Sequence, residues 1–272
     1  MFPSKKRNLL VGTDPELFIK SNNGEYKSAV GLIGGSKATP RRLNRDGFFA
    51  LEDNVAVEFN IPPARNVKEF TDSVSWTIKR LGKELKKKNL ILDFAASVSF
   101  PEQELNTPQA REFGCMPDFN AWKSSEQRLH RNPRPRAADI NLRSCGGHDH
   151  FGWDEPTNVE KLMVIRSADL HLGIPSVLMD HDNNRRKLYG LAGSFRPTSY
   201  GAEYRTLSNF WIQSQKTIEW LYEQSVRAFN FAMNPDNYEI LEKEKINITK
   251  AINKNDHKLA LKLLDTYDLV CV

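Results

Sequence analysis

Val11-Gly12-Thr13-Asp14-Pro15-Glu16-Leu17-Phe18-Ile19 places two carboxylates two residues apart in an otherwise apolar run. On a strand, side chains at i and i+2 point to the same face. Asp14 and Glu16 would then repel each other unless a cation or a proton stands between them. Pro15 has no N–H to donate, so this part of the strand belongs at an edge or a bulge. The plainer alternative is a turn-forming Asp-Pro at the surface. Residues 8–20 read as one strand, closed by the turn residues Ser21-Asn22-Asn23-Gly24.

Residues 47–60 read as a hairpin turning near Asp53-Asn54. Val55, Val57 and Phe59 alternate there with Ala56, Glu58 and Asn60, the period of a strand. Pro62-Pro63 ends it. Asn66 is the expected N-cap of an amphipathic helix carrying Val67, Phe70, Val74, Ile78, Leu81 and Leu85 at steps of three or four. Further strands are expected at 90–99 and 139–143, and helices at 157–172 and 209–232. Residues 101–138 hold Pro, Arg, Asn and Gly with little periodicity. A long irregular stretch inside a compact domain is often functional. Strands and helices mix without regular βαβ alternation, which predicts an α+β fold with a mainly antiparallel, curved sheet flanked by helices. The expected division is a catalytic domain over 1–235 and a helical appendage over 236–272.

The bulk numbers narrow the function classes. With 272 residues, 39% hydrophobic and 27% charged, the chain can bury a core and is neither disordered nor fibrous. No run of 18 apolar residues occurs, which argues against a membrane span. After basic Met1 to Arg7, only Leu9-Leu10-Val11 precede Gly12, too short for the apolar core of a signal peptide, so the expected location is the cytoplasm. Cys115, Cys145 and Cys271 form neither a CxxC nor an even set, so no disulfide framework or zinc ribbon is indicated. A net charge of +5 and a pI of about 9.0 suit anionic substrates such as nucleotides, and also nucleic acid. The run Lys86-Lys87-Lys88 reads as a solvated helix C-terminus, where positive charge is favoured.

Three more segments set polar groups at i and i+2. Glu58 pairs with Asn60, a pattern that a solvent-facing strand would also show. Gly146-Gly147-His148-Asp149-His150-Phe151-Gly152 puts two imidazoles on one face, with glycines that let backbones approach closely. Gly201-Ala202-Glu203-Tyr204-Arg205 puts a carboxylate beside a guanidinium, which alone could be a surface ion pair of little consequence. Together, Asp14, Glu16, Glu58 and Glu203 with one or two of His148 and His150 make an oxygen-rich set suited to magnesium or manganese. Arg185-Arg186-Lys187-Leu188-Tyr189-Gly190-Leu191-Ala192-Gly193-Ser194-Phe195-Arg196 adds cations and glycines that could hold phosphates. Carboxylates for metal followed by arginines is the equipment of phosphoryl transfer.

The order of these motifs resembles a known superfamily. Asp14-Pro15-Glu16-Leu17-Phe18 is similar to the acid-Pro-Glu-Phe-Phe segment of glutamine synthetases. His148 and His150 resemble that family's glycine-flanked His-x-His, and Arg196 followed by Glu203-Tyr204-Arg205 resembles its arginine followed by Glu-Phe-Arg. Over residues 10–232 the chain looks more closely like the phage-type carboxylate–amine ligases (COOH–NH2 ligase, type 2) of the same superfamily. Val57-Glu58-Phe59-Asn60, Gly146-Gly147-His148 and Ala192-Gly193-Ser194-Phe195-Arg196 also fit that pattern.

The resemblance implies a glutamine synthetase-like core and an ATP- and Mg2+-dependent ligase, with Mn2+ as an alternative ion. It would form an amide through an acyl phosphate. Glu16 and Glu58 would hold one ion. Asp14, His148 and Glu203 would hold a second, with the roles of His148 and His150 open to exchange. Arg196 and Arg205 would contact the γ-phosphate and the acyl phosphate, with Arg185 or Arg186 assisting. Asp14 stands where the synthetases have glutamate, so its shorter reach could require a bridging water. The attacking amine must be neutral, which calls for a base; Asp53, Glu52 and Asp149 are the candidates. Segment 101–138, with Gly114-Cys115-Met116-Pro117-Asp118-Phe119-Asn120-Ala121-Trp122, is the expected lid over the reactive intermediate. The expected partners are small-molecule or peptide carboxylates and amines, with an oligomer possible and host cytoplasm the location if the chain is phage-encoded. The competing readings are a phosphotransferase of the same scaffold, a metal-dependent hydrolase, and a non-enzymatic nucleic-acid-binding or virion-associated protein.

Overall fold

Pro15 splits the first strand in two. In the computed structural model, which describes residues 7–111, 118–133, 139–182 and 184–272, β1 (Leu10–Thr13) and β2 (Glu16–Ser21) belong to different sheets, with Asp14-Pro15 as the joint. The single strand expected over 8–20 is corrected accordingly. A residue without an N–H interrupts the ladder, and the chain changes sheets at that point.

β3 (Tyr26–Lys27), β4 (Arg41–Arg42), β5 (Phe49–Asp53) and β6 (Ala56–Asn60) join β2 in an antiparallel sheet of order β3-β2-β6-β5-β4. The expected β5–β6 hairpin is present. It turns at Asn54, whose φ of 55° is a conformation that asparagine tolerates. α1 (Val67–Lys86) starts at Asn66, whose side chain accepts from the Glu69 N–H. Its Phe70, Val74, Leu81 and Leu85 join Leu17, Ile19, Val57 and Phe59 of the sheet in one core. The strand expected over 90–99 is two strands: β7 (Leu90–Asp93) pairs with β2, and β8 (Ser97–Ser99) pairs elsewhere.

α2 (Pro108–Arg111) and β9 (Phe119–Asn120) follow, then β10 (Leu142–Ser144), the partner of β8, and β11 (Asp149–Gly152). α3 (Asn158–Ala168) continues through a π-helical turn, Asp169–Gly173, into α4 (Ile174–Met179). After α5 (Arg185–Leu188) come β12 (Ser194–Pro197) and β13 (Gly201–Tyr204). α6 (Gln215–Ala232), α7 (Tyr238–Lys254) and α8 (His257–Thr266) complete the chain's regular elements. The second sheet runs β1-β11-β13-β12-β9, also antiparallel. The fold is therefore α+β.

Alternation divides the faces of this second sheet. Val11, Phe151 and Ala202 lie in register, as do Asp149, Tyr204 and Phe195, on the side packed against α3 and α6. Gly12, His150, Glu203 and Arg196 form the register row on the opposite side. The helical run Asn158–Met179 is apolar and long enough to cross a membrane, but 78% of its most apolar stretch is buried inside the protein, the placement of a core helix. Leu241, Ile248, Ala251, Ile252, Ala260 and Leu263 of α7 and α8 form a second cluster with Leu170, Ile174 and Val177 of that run.

Candidate active site

The polar faces of the two sheets meet at the Asp14-Pro15 joint and line one cavity of about 230 Å³. One sheet supplies the His150–Glu203–Arg196 row. Arg196 Nη1 donates to Glu203 Oε2 at 2.9 Å, and Arg205, two residues beyond Glu203, donates to Glu203 Oε1. His148 and His150 both turn toward Asp14. His148 Nδ1 lies 3.2 Å and His150 Nε2 3.1 Å from Asp14 Oδ1, and Glu203 Oε1 is 3.5 Å from His148 Nδ1. The angles leave Asp14 Oδ1, His148 Nδ1 and His150 Nε2 buried without a hydrogen bond. Polar atoms that converge in this way fit a shared cation. Asp14, His150 and Glu203 each offer a ligand atom within 4.8 Å of the others.

Close backbone packing positions the histidines. A Cβ on Gly147 would stand 2.4 Å from Ser208 O and 2.4 Å from Trp211 Nε1. Only glycine lets this turn lie against the segment after β13. Thr13 Oγ1 donates to His148 O at 2.6 Å, and Tyr200 OH is 2.7 Å from His150 Nδ1. Burial would raise the Asp14 pKa, but the adjacent His150 and His148 outweigh it and hold the carboxyl well below its usual range. Burial would lower His150, but the charges of Asp14 and Glu203 push it up to about 10. His148 is lowered by burial and by Arg205.

The other sheet supplies an acid cluster. Glu16 and Glu58 face each other in the β2–β6 register, and Leu51 of β5 lies beside Glu58. Asp53, two residues after Leu51, falls on the same face. Glu16, Asp53 and Glu58 each offer an oxygen within 4.8 Å of the others. Gly146 N–H donates to Glu16 Oε2 at 2.7 Å, and Lys37 Nζ is 2.8 Å from Asp53 Oδ1. Burial and the charge of Asp53 push Glu16 up to about 8. Glu58 is raised by burial and by Asp14, Asp53 and Glu16. Buried carboxylates at this density favour bound cations, and an all-oxygen donor set suits magnesium or manganese.

Asp14, Glu16, Glu58, His148, Glu203, Arg196 and Arg205 all line the cavity, and His150 reaches the same centre through Asp14. The i, i+2 reasoning holds for His148 with His150 and for Glu203 with Arg205. For Asp14 and Glu16 it is corrected: Asp14 lies in the joint and Glu16 opens β2, and each belongs to a different cluster. Arg185 and Arg186 are not among the cavity's lining residues. Arg185 Nη1 donates to Thr206 O at 3.0 Å, and Arg186 Nη2 donates to Ser176 Oγ at 2.9 Å.

Of the three candidate bases, Asp149 faces the core, where Ser225 Oγ donates to it at 2.6 Å. Glu52 accepts from Ile33 N at 3.1 Å and Gly34 N at 2.6 Å. Asp53 sits in the acid cluster. The sequence marks it only as a candidate base, although its parity with Leu51 across from Glu58 is readable once the hairpin register is set. Lys37 was missed, because a loop residue carries no periodicity. Within the expected lid, residues 119–122 are packed into the fold. There β9 is the edge of the second sheet, and Trp122 is buried with Nε1 donating to Asp169. Gly114-Cys115-Met116-Pro117 lies outside the described residues.

Residues 137–261 match the family described as phage phiEco32-like COOH.NH2 ligase, type 2. The resemblance named from the motifs is borne out over that segment, which contains His148, His150, Arg196, Glu203 and Arg205 and runs into α8. It is a family of enzymes that join a carboxyl to an amino group. No curated protein matches the chain in sequence. Among solved structures, GmaS without ligand is 11% identical, with 98% of this chain and 71% of that one covered at a TM-score of 0.43. GmaS in complex with ADP is 10% identical, with 98% and 72% covered at 0.41. These likenesses are low, and the functional reading rests on the family match and the geometry.

Proposed function

We propose that the chain is an ATP-dependent carboxylate–amine ligase whose cavity holds two divalent cations, one in each acid cluster. The observation that carries this reading is the convergence, on one cavity, of Glu16, Asp53 and Glu58 with Asp14, His148, Glu203, Arg196 and Arg205, and with His150 joined to them through Asp14. Two clusters with arginines beside them suit a substrate bearing several phosphate oxygens. Magnesium or manganese, when bound, would neutralise those oxygens.

In this reading the γ-phosphoryl group passes to a substrate carboxylate, ADP leaves, and an acyl phosphate results. The neutral amine nitrogen then attacks the carbonyl carbon, the bond to the phosphate oxygen breaks, the phosphate departs carrying the proton that the nitrogen loses, and an amide forms. Arg196 and Arg205, already oriented by Glu203, meet the charge that builds on the transferring group. Glu203 thus serves the metal and the arginines at once. Gly146 N–H and the β2–β6 register hold Glu16 and Glu58 in place, so the acid cluster needs little rearrangement. Asp53, as a member of that cluster, serves as a ligand rather than as the base.

The test is ADP release by purified protein with ATP and Mg2+ across a panel of carboxylate and amine pairs, with Glu16→Gln as control. ADP that depends on one pair and disappears in the variant is the expected result. Turnover that needs no ATP would favour the hydrolase. Absence of both ATP and metal binding would overturn the assignment.

A further inference from the structure

Lys37 is the only lysine among the described residues lining the cavity, and its ammonium lies 2.8 Å from Asp53 Oδ1. The two partners differ in freedom. The Asp53 side chain is 6% exposed and that of Lys37 is 47% exposed. Asp53 is fixed at the end of β5, whereas Lys37 extends a flexible four-carbon arm from a loop.

The base of that arm is firmly held. Glu52 Oε1 accepts from Ile33 N and Gly34 N, and Glu52 N donates to Gly35 O at 3.3 Å. Gly35 has φ +86°, and a Cβ there would lie 2.6 Å from Arg41 N and 2.8 Å from Ala50 O, so the loop is seated directly on β4 and β5. Ser36 and Thr39 exchange backbone hydrogen bonds of 3.1 Å around the lysine. The loop thus carries a fixed root and a mobile charge to the edge of the acid cluster. That charge reaches beyond Asp53: it opposes the upward push that burial exerts on Glu16 and Glu58.

A divalent ion held by Glu16, Asp53 and Glu58 would share Asp53 with the ammonium. Two cations a few ångströms apart repel strongly where water is scarce. The carboxylates are buried and set by strand register, so the half-exposed lysine is the part that can move.

We propose that Lys37 is a built-in counter-cation of the acid cluster, which a divalent ion displaces from Asp53 into the cavity. Before metal binds, the ammonium balances Asp53, and the lysine's charge becomes available to an incoming oxyanion only once metal is bound. Loading the ion and priming the cavity for an anionic substrate become one event. This inference rests on the reading that the acid cluster binds a divalent cation.

Mn2+ titration followed by electron paramagnetic resonance, without nucleotide, tests the competition. Lys37→Met is expected to bind Mn2+ at least about threefold more tightly than wild type, because a competing charge is gone. Lys37→Arg, which keeps the charge, is expected to stay near wild type. In the wild-type protein, acylation of Lys37 by an N-hydroxysuccinimide ester, read by peptide mass spectrometry, should rise when Mg2+ is added. Unchanged or weaker Mn2+ binding in Lys37→Met, or Lys37 labelling indifferent to Mg2+, overturns the proposal while leaving the metal site standing. Wild-type protein that binds no Mn2+ at all overturns the metal reading itself.

Discussion

Tyr200 reaches His150 from the turn between β12 and β13, with the two rings nearly parallel at 16° and the hydroxyl 2.7 Å from Nδ1. That contact leaves His150 Nε2 pointing at Asp14. When one imidazole nitrogen binds a metal, the other usually donates to a neighbour that fixes the tautomer and the ring. Tyr200→Phe should therefore weaken Mn2+ binding by about tenfold while leaving the fold intact. Unchanged affinity would make Tyr200 a packing residue only. Tyr200 lies outside every motif that drew attention to the site, since a tyrosine directly before a glycine looks like ordinary turn sequence. The same limit applies to Lys37. Residues legible in the sequence were those on strands or directly at their ends, where parity and motif spacing reveal the face; Tyr200 and Lys37, delivered by a turn and a loop, needed the three-dimensional structure.

At the scale of elements, parity itself depends on knowing where a strand stops. Asp14 and Glu16 have the right spacing for one face, yet the strand breaks at Asp14-Pro15, leaving Asp14 in the joint and Glu16 at the start of β2, and that split makes two clusters rather than one. The second sheet depends on an equally local constraint. A Cβ on Gly201 would fall 1.9 Å from Phe151 O, inside the β11–β13 pairing that sets His150 beside Glu203. Gly201→Ala should destabilise the protein by on the order of 3 kcal/mol and weaken metal binding with it, because the same ladder carries both ligands. Asn66→Ala offers the contrast: loss of the α1 cap should cost about 1 kcal/mol in chemical denaturation and leave metal affinity unchanged. Equal effects of the two on metal binding would mean that strand register is not what positions the ligands. The α1 cap, its apolar stripe and the hairpin at Asn54 were all readable in advance, because each is encoded within a few neighbouring residues. The joining of β1 to β11 and of β9 to β12 was not, because those partners are distant in sequence.

For the molecule as a whole, concentrated buried acid makes stability depend on pH in a way that metal should change. A carboxyl whose pKa is raised on folding keeps a proton that the unfolded chain has lost, so stability falls as pH climbs between the two values. Burial and Asp53 take Glu16 from 4.5 to about 8. Burial takes Asp149 and Asp169 from 3.8 to about 7. His150 acts in the same direction: its raised pKa contributes stability that is complete below 6.5 and lost toward about 10. His171, lowered by burial to about 4, and His148, also lowered, work the other way, but only below their ordinary value of 6.5. Above pH 6.5 the downward contributions therefore stand alone. The Tm of the metal-free protein should fall by several degrees between about pH 6.5 and pH 9, as expected when folded-state pKa values lie above their unfolded ones. Mg2+ should flatten that fall, because a cation holds Glu16, Asp53 and Glu58 in the charged form that burial alone disfavours, and binding to the folded state stabilises it by mass action. A Tm that rises over this range in metal-free protein would show that the buried acids do not keep their protons on folding, and a slope that saturating Mg2+ leaves unchanged would show that the acid cluster is not where the ion binds.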